Sequence, residues 1–530
     1  MMARTNLAEL AAEAAASRPE HTAIVDAHRR LSWSELDAEV SAVARGLDAL
    51  GVVAGFRIAL MLPNRVEFVT TYLGILRAGL VAIPLNPASA TGELVRVLAD
   101  SGTRAVVCDA STVTQVRAAV TGLAEALEGA DEELRARSSV PRVVVVGVPP
   151  LEEERAYADL VSGSGPQPAS PRDPEALAVL LYTSGTSGRP RAAMLSHRAL
   201  LANIEQAGDL EPPAMVPDDV VLGVLPMFHV YGLNAVLGQV LLQAATLILV
   251  GRFDPESTLA VVEQEGVTNL PVAPPVLTAW ADRDDLRERV RSVRAVTCGA
   301  SPLAVETHTR FEEATGVTVQ QGYGLTEAAP VVTSTLASPQ PKPGSVGRPL
   351  ENVEVRIVDA DGQDVHDQDA GEIWVRGANL FSGYWPDGEE GPDADGWYPT
   401  GDVGYLDADG DLFLVDRIKE IVIVRGFNVY PFETEQVIAE VDEVAEVAVI
   451  GVDDERAGEA VVAYVVPEPH AGLPEDRLAA MIRDHCAARL AEFKQPRDIR
   501  VVDELPHSVT GKVAKGRLRD TERRREMGLA

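Results

Sequence analysis

The residue types best suited to gripping an anion lie in Leu181–Arg191, LYTSGTSGRPR, directly after the strand-like run ALAVLL. Two glycines (Gly185, Gly188), four hydroxyl residues (Thr183, Ser184, Thr186, Ser187) and two arginines, Arg191 among them, share these eleven positions. Glycines let the backbone turn tightly and aim N–H groups at one point, while hydroxyls and guanidinium groups add donors. This is phosphate-binding chemistry without the GxxxxGK[ST] spacing of the Walker loop. Other stretches put polar groups at turns: QGYGLTEAAP (Gln321 to Pro330), YPTGDVGYLD (Tyr398 to Asp407), DRIKEIVIVRGFNVYP (Asp416 to Pro431) and LPHSVTGKVAKGRLR (Leu505 to Arg519). Taken singly, each has a plain reading: a flexible surface loop for the glycine-rich segment, a solvated turn for Glu327, a surface lysine for Lys512.

Such side chains need elements to carry them. Leu36, Val40, Val43, Leu47 and Leu50 fall on one helical face, with Ser34 placed to cap the helix and Gly51 to end it. Phe56 to Leu62 reads as a buried strand, Glu67 to Ala78 as a helix and VAIPL as another strand, with more near Val143 and Val267. Alternation of this kind argues for α/β units on parallel sheets. Ser, Gly and Pro between Ser162 and Pro174 read as a loop. From Gly344 to about Asp416, strands such as IWVRG and LFLVD alternate with Gly and Asp turns, implying a mostly antiparallel section. A compact unit follows from Arg417, with a helix near Leu478 to Leu490, the size of one small α+β domain.

The 530 residues are 46% hydrophobic and 24% charged, which excludes disorder and leaves material for several cores. Eighty acidic against 47 basic residues give a net charge of −33, the wrong sign for a nucleic acid or an anionic membrane. Cys108, Cys298 and Cys486 are scattered and show neither disulfide nor metal spacing, fitting a reducing cytoplasm. His229 to Gly251 carries no formal charge and is about long enough to span a bilayer. Gly232, Asn234, Gly238, Gln239 and Gln243 interrupt it, so a buried helix followed by a buried strand is expected, with no stable membrane anchor.

The five motif segments, in this order, resemble the adenylate-forming (AMP-binding) superfamily: acyl-CoA synthetases, peptide-synthetase adenylation domains and beetle luciferases. The resemblance spans nearly the whole chain. It implies an α/β fold with a large N-terminal domain of mixed and parallel sheets plus a β-rich subdomain, residues 1–416. A small mobile α+β C-terminal domain, 417–530, would follow. The implied activity is acid–thiol ligation with ATP, Mg²⁺ and coenzyme A, and a homodimer is left open.

The resemblance also implies roles. Thr183 to Gly188 would wrap the β and γ phosphates of ATP, and Tyr323 would stack on adenine beside the backbone of Gly299, Ala300 and Ser301. Thr326 would touch phosphate, Glu327 would hold Mg²⁺, and Gly324 would leave room in the pocket. Asp402 would accept from both ribose hydroxyls, with Arg417 supporting the ribose and Lys419 at the hinge. Gly426 and Phe427, after Arg425, would line the pantetheine tunnel in a second pose of the mobile domain. Lys512 would bridge carboxylate and α-phosphate. Composition supports that choice: the 47 basic residues include only five lysines, yet Lys stands at 419 and 512. A compact ammonium suits a point between two oxygens better than a planar fork.

Two departures stand out. Relatives usually have Lys-Gly where this chain has Arg191-Ala192, and His507 replaces a commoner basic residue. In LPMFHVYGLN, His229 stands where amino-acid-activating relatives carry an aspartate, which argues against an amino-acid substrate. His229 would act as a gate beside the carboxylate, or be an ordinary core histidine. Val230, Tyr231, Ala328, Val331 and Val332 suggest an apolar cavity for a medium- or long-chain fatty acid. An aryl acid is the near alternative, and a non-catalytic ATP-binding regulator the alternative of another class.

Overall fold

The computed structural model describes residues 4–129, 132–162, 168, 173–183, 191–359, 361–365, 369–417, 420–425, 427–454, 457–469, 472–507 and 512–526. Packing divides the chain into two compact units. The first holds Met1–Pro343, Gly347–Glu354 and Arg376–Tyr398; the second holds Gly344–Val346, Val355–Val375 and Pro399–Ala530.

Two large sheets build the first unit. In the seven-stranded sheet, Arg57–Met61 pairs in parallel with Val81–Pro84 and with Ala105–Asp109, which pairs in parallel with Arg142–Val146. Their residues are almost all buried, as expected of parallel strands covered by helices on both faces. At one edge Arg191–Ser196 runs antiparallel to Leu177–Thr183, with Thr183 opposite Arg191. In the nine-stranded sheet, Val220–Gly223, Thr246–Leu249, Asn269–Val272, Ala295–Cys298 and Val319–Gly324 form a parallel centre. Val331–Ser334 then turns back antiparallel to Val319–Gly324.

The first predicted helix forms at Trp33–Ala49, but its cap is Ser32 rather than Ser34. The Ser32 hydroxyl accepts from the Glu35 N–H, and the Glu35 carboxylate accepts from the Ser32 N–H at 2.8 Å. Spacing decides this: the reciprocal box needs Glu three residues after the cap, which leaves Ser34 inside the first turn. The charge-free stretch after His229 becomes a π-helical turn, Tyr231–Val236, a helix, Leu237–Gln243, and a buried strand, Thr246–Leu249. No helix among the described residues is long and apolar enough to cross a membrane. The loop expected between Ser162 and Pro174 lies largely outside the described residues.

The second unit carries most of a four-stranded sheet, in which Trp397–Leu406 and Leu412–Arg417 pair antiparallel. Its five-stranded sheet is built on the long antiparallel pair Val444–Asp454 and Gly458–Pro467. Period-two alternation sends Val449, Val461, Ala463 and Val465 into one core and Ala448, Ile450, Val462 and Tyr464 into another. The helices Pro431–Ala439 and Glu475–Arg489 supply Ile438, Leu478, Ile482 and Cys486 to the first core, and Lys515–Glu526 supplies Leu518 to the second.

Candidate active site

In the first unit the polar residues converge where Val319–Gly324 ends. Tyr323 is buried in this strand, and the ladder to Val331–Ser334 slips register between Tyr323 and Gly324. A Cβ on Gly324 would lie 2.2 Å from the Pro330 carbonyl oxygen, so only glycine permits this approach. Thr326–Ala328 then makes one 3₁₀ turn, closed by Ala329 in the left-handed region at φ 62°. A left-handed alanine persists only where its surroundings hold it.

Three buried asparagines supply that hold. Asn379 donates to the Ala328 carbonyl at 2.8 Å, and Asn234 donates to the Ala329 carbonyl at 2.6 Å and to that of Leu200 at 3.1 Å. Asn203 donates to the Val331 carbonyl at 2.7 Å and accepts from its N–H at 3.1 Å. The Glu327 carbonyl accepts from the Phe381 N–H at 2.8 Å. The backbone from Glu327 to Val331 is thus fixed by neutral groups. Sequence reasoning missed all three asparagines as site residues; Asn234, a polar break in an apolar run, was the one available signal.

The Glu327 carboxylate is held separately. The Tyr384 hydroxyl donates to its Oε1 at 2.5 Å, while Phe381 packs edge-on against both Tyr384 and Tyr398. Burial, and then the charge of Glu327, push the Tyr384 phenol far above its usual range, so it stays a proton donor. Arg191 caps the assembly: its guanidinium carbon lies 3.8 Å from the centre of the Tyr384 ring, and Nη1 pairs with Glu390 at 2.6 Å. The hydrogen bond to Glu390 raises the Arg191 pKa. Segment 383–385 reaches this position by pairing along Arg191–Ser196, through Met194 N–H to the Gly383 carbonyl and Trp385 N–H to that of Ala192. Ser184, Gly185, Thr186, Ser187 and Gly188 lie outside the described residues; Thr183 and Arg191 flank them.

The described residues contain no group of three or more His, Cys, Asp or Glu able to cage a metal. A single oriented carboxylate nevertheless suits Mg²⁺, which keeps several waters and takes the rest of its shell from substrate phosphates. Glu327 fits that demand.

Near the π-helical turn, His229 is half-buried and its Nδ1 accepts from the Tyr231 N–H at 3.3 Å. The half-buried Tyr231 ring faces Gly299, where an added Cβ would come within 3.2 Å of it. Ala300 follows at φ 75°, and Ser301 is half-buried. Gly299 to Ser301 therefore continue the strand Ala295–Cys298 past an aromatic wall.

In the second unit, Asp402 and Arg417 sit opposite each other in the strand ladder, and Arg417 Nε pairs with Asp402 Oδ1 at 2.9 Å. Asp402 is buried, and its N–H donates to Thr400 Oγ1 at 3.1 Å. A carboxylate paired on one edge keeps other lone pairs for hydroxyl donors. Lys419 and Gly426 lie outside the described residues, while Phe427 is 57% exposed and stacks on Phe493 at 4.8 Å. Lys512 is half-buried, beside the bridge between His507 and Val513.

A chain with this fold and these turns belongs to a class that activates acids with nucleotide. Residues 11–385 match the AMP-binding enzyme family, and residues 433–512 match the AMP-binding enzyme C-terminal domain. The protein belongs to this adenylate-forming family. It is 35% identical to 4-coumarate–CoA ligase 5 of Oryza sativa subsp. japonica, over 96% of this chain and 93% of the relative. It is 31% identical to a long-chain-fatty-acid–CoA ligase of Bacillus subtilis, over 97% and 94%. ATP-bound MatB from Rhodopseudomonas palustris superposes with a TM-score of 0.86 at 32% identity, over 97% and 99% of the two chains.

Proposed function

We propose that this protein is an acid–thiol ligase that uses ATP, Mg²⁺ and coenzyme A to convert an apolar carboxylic acid to its acyl-CoA through an acyl adenylate. The observation that carries this reading is Glu327, presented on a turn locked by three amides beside Tyr323. A carboxylate is a poor electrophile because its leaving group would be oxide. Its oxygen attacks the α-phosphorus of ATP, forming an acyl C–O–P link and breaking the bond to pyrophosphate; the thiol of coenzyme A then displaces AMP. Two anions must meet in the first step, so charge neutralisation dominates it. Mg²⁺, when bound, would neutralise phosphate charge.

The chain's own residues divide the work. Thr183 and the glycine-rich segment through Gly188, with Arg191, take the β and γ phosphates, and Thr326 touches phosphate. Tyr323 and the backbone of Gly299 to Ser301 take adenine, and Glu327 the cation. Asp402 and Arg417 take the ribose, and Lys512 the α-phosphate and acid. The small C-terminal domain beyond Lys419 moves between the two steps, which brings Gly426 and Phe427 to the pantetheine.

The acid we propose is a medium- or long-chain fatty acid, with His229 gating the carboxylate. Relatives that act on fatty acids and the absence of an aspartate at 229 support it. The packing of the Tyr231 ring against Gly299 supports a second reading, a flat aryl acid, as do the 4-coumarate ligase and a feruloyl-CoA synthase among the relatives. Carboxylate-dependent ATP–pyrophosphate exchange across fatty, aryl and amino acids tests both. Exchange with one acid class selects the reading; no exchange with any acid defeats it.

A further inference from the structure

The second unit buries a charge cluster that none of these roles uses. Lys515 Nζ lies 2.8 Å from Glu435 and 3.2 Å from Glu420, with all three side chains at most 20% exposed. Asp416 faces the same ammonium and helps to raise its pKa, while Arg417 and Arg519 face Glu420. Each acid belongs to a different neighbour: Asp416 to the end of Leu412–Arg417, Glu420 to the segment after it, Glu435 to the helix Pro431–Ala439. Backbone donors orient two of them, Val449 N–H to Glu435 at 2.6 Å and Phe432 N–H to Asp416 at 2.8 Å.

Helix energetics alone disfavour a lysine here. Lys515 opens the helix Lys515–Glu526, where the macrodipole repels a cation. Burying an ammonium is costly as well, unless it is paired and hydrogen-bonded. Two carboxylates in contact and a third nearby offset both. In a chain with five lysines among 47 basic residues, one of the five fills this slot, where a planar fork would not sit between two carboxylates on different elements. Three residues earlier stands Lys512, on a segment joined at one end through Ala514 N–H to the Pro506 carbonyl, 2.6 Å.

We propose that Lys515 is a positioning residue for adenylation: locked among Glu435, Glu420 and Asp416, it fixes the register of the segment that presents Lys512. The proposal rests on the reading of Lys512 as the adenylating lysine. It ties the start of the last helix to the strand end at Asp416–Arg417 and to the helix that carries Glu435. A register slip at Lys515 would therefore displace Lys512 without touching substrate contacts made elsewhere.

The test compares half-reactions in the full-length protein. The charge-balanced double variant Lys515→Met/Glu435→Gln avoids an unpaired buried carboxylate at 435. It is expected to lower kcat of ATP–pyrophosphate exchange at least about tenfold. KM for ATP, thioesterification of supplied acyl-AMP and thermal melting should stay near wild type, and amide exchange at Ala514 should accelerate. Lys515→Arg, which keeps charge but not shape, should recover only part of the rate. Glu420→Gln, a milder change, should give a smaller loss confined to exchange. Wild-type exchange in a folded double variant, or equal loss of both half-reactions, overturns the proposal. Lys512→Ala runs in parallel: if it retains exchange, the Lys512 reading fails and takes this proposal with it. If Lys512→Ala is inactive and the double variant is not, only the role of Lys515 fails.

Discussion

Two acid-bearing regions of the molecule are stabilised by opposite means. Around Glu327 the groups bonded to it or to its turn are neutral, three asparagine amides, a backbone N–H and a tyrosine hydroxyl, and the Arg191–Glu390 pair lies beyond the tyrosine ring. Around Lys515 they are ions, one ammonium among three carboxylates. The difference follows from what each place is proposed to do. A carboxylate meant for a cation and phosphates has to keep its charge unspent, and a nearby lysine would compete with the cation. A neutral hydroxyl orients it and leaves the net charge at −1. The Lys515 cluster handles no proposed ligand, so its charges can satisfy one another, and the mutual attraction sets register between three segments.

The comparison is broken most sharply at Lys512. If the charged unit exists to deliver this residue, Lys512→Ala should lower pyrophosphate exchange on the order of 10²–10³-fold, the usual cost of removing one donor to developing charge. Thioesterification of supplied acyl-AMP should persist. Equal loss in both assays would mean that the charged unit serves folding alone.

A smaller effect is expected on the neutral side. Asn234→Leu leaves the carbonyl of Ala329 without its amide donor, which costs about 1–3 kcal/mol. It should also slow exchange about tenfold to a hundredfold, because the turn carrying Thr326 and Glu327 loosens. Exchange at the wild-type rate in this variant would show that the turn does not depend on the Asn234 amide.

Smaller again is Tyr384→Phe. It removes one hydrogen bond to a carboxylate, worth about 1.5–3 kcal/mol, and leaves the ring under Arg191 in place. Weaker Mn²⁺ binding to the ATP-loaded protein, read by electron paramagnetic resonance, is the expected result, with KM for the acid unchanged. Unaltered Mn²⁺ affinity would detach Tyr384 from the cation site.

These residues differ in how far the chain alone reveals them. Tyr323, Glu327, Asp402 and Lys512 stand inside the motifs that carry the family resemblance, so that resemblance named each as a candidate. Asn203, Asn234 and Asn379 stand in three separate segments with no shared spacing; only the fold brings their amides to one turn. The sequence reading puts the cap at Ser34, and the three-residue distance to Glu35 points to Ser32 once the helix start is known. Lys515 was visible as a rare lysine, but its partners at 416, 420 and 435 needed the packing of the second unit.

The gentlest probe of the neutral region is acid. His197, buried at the start of the helix His197–Gly208, accepts from the Leu7 N–H through Nδ1, and burial lowers its pKa from 6.5 to about 4. On acidification the unfolded imidazole takes its proton near pH 6.5 and the folded one only near 4, so between these values the unfolded state binds more protons. This contribution is therefore complete above pH 6.5 and is lost as pH falls toward 4, amounting to about 2 kcal/mol by pH 5. His197→Asn retains an acceptor for Leu7 and does not titrate. Melting temperatures from pH 7 to 5 should fall more steeply for wild type than for this variant. Parallel curves would show that His197 titrates alike in both states.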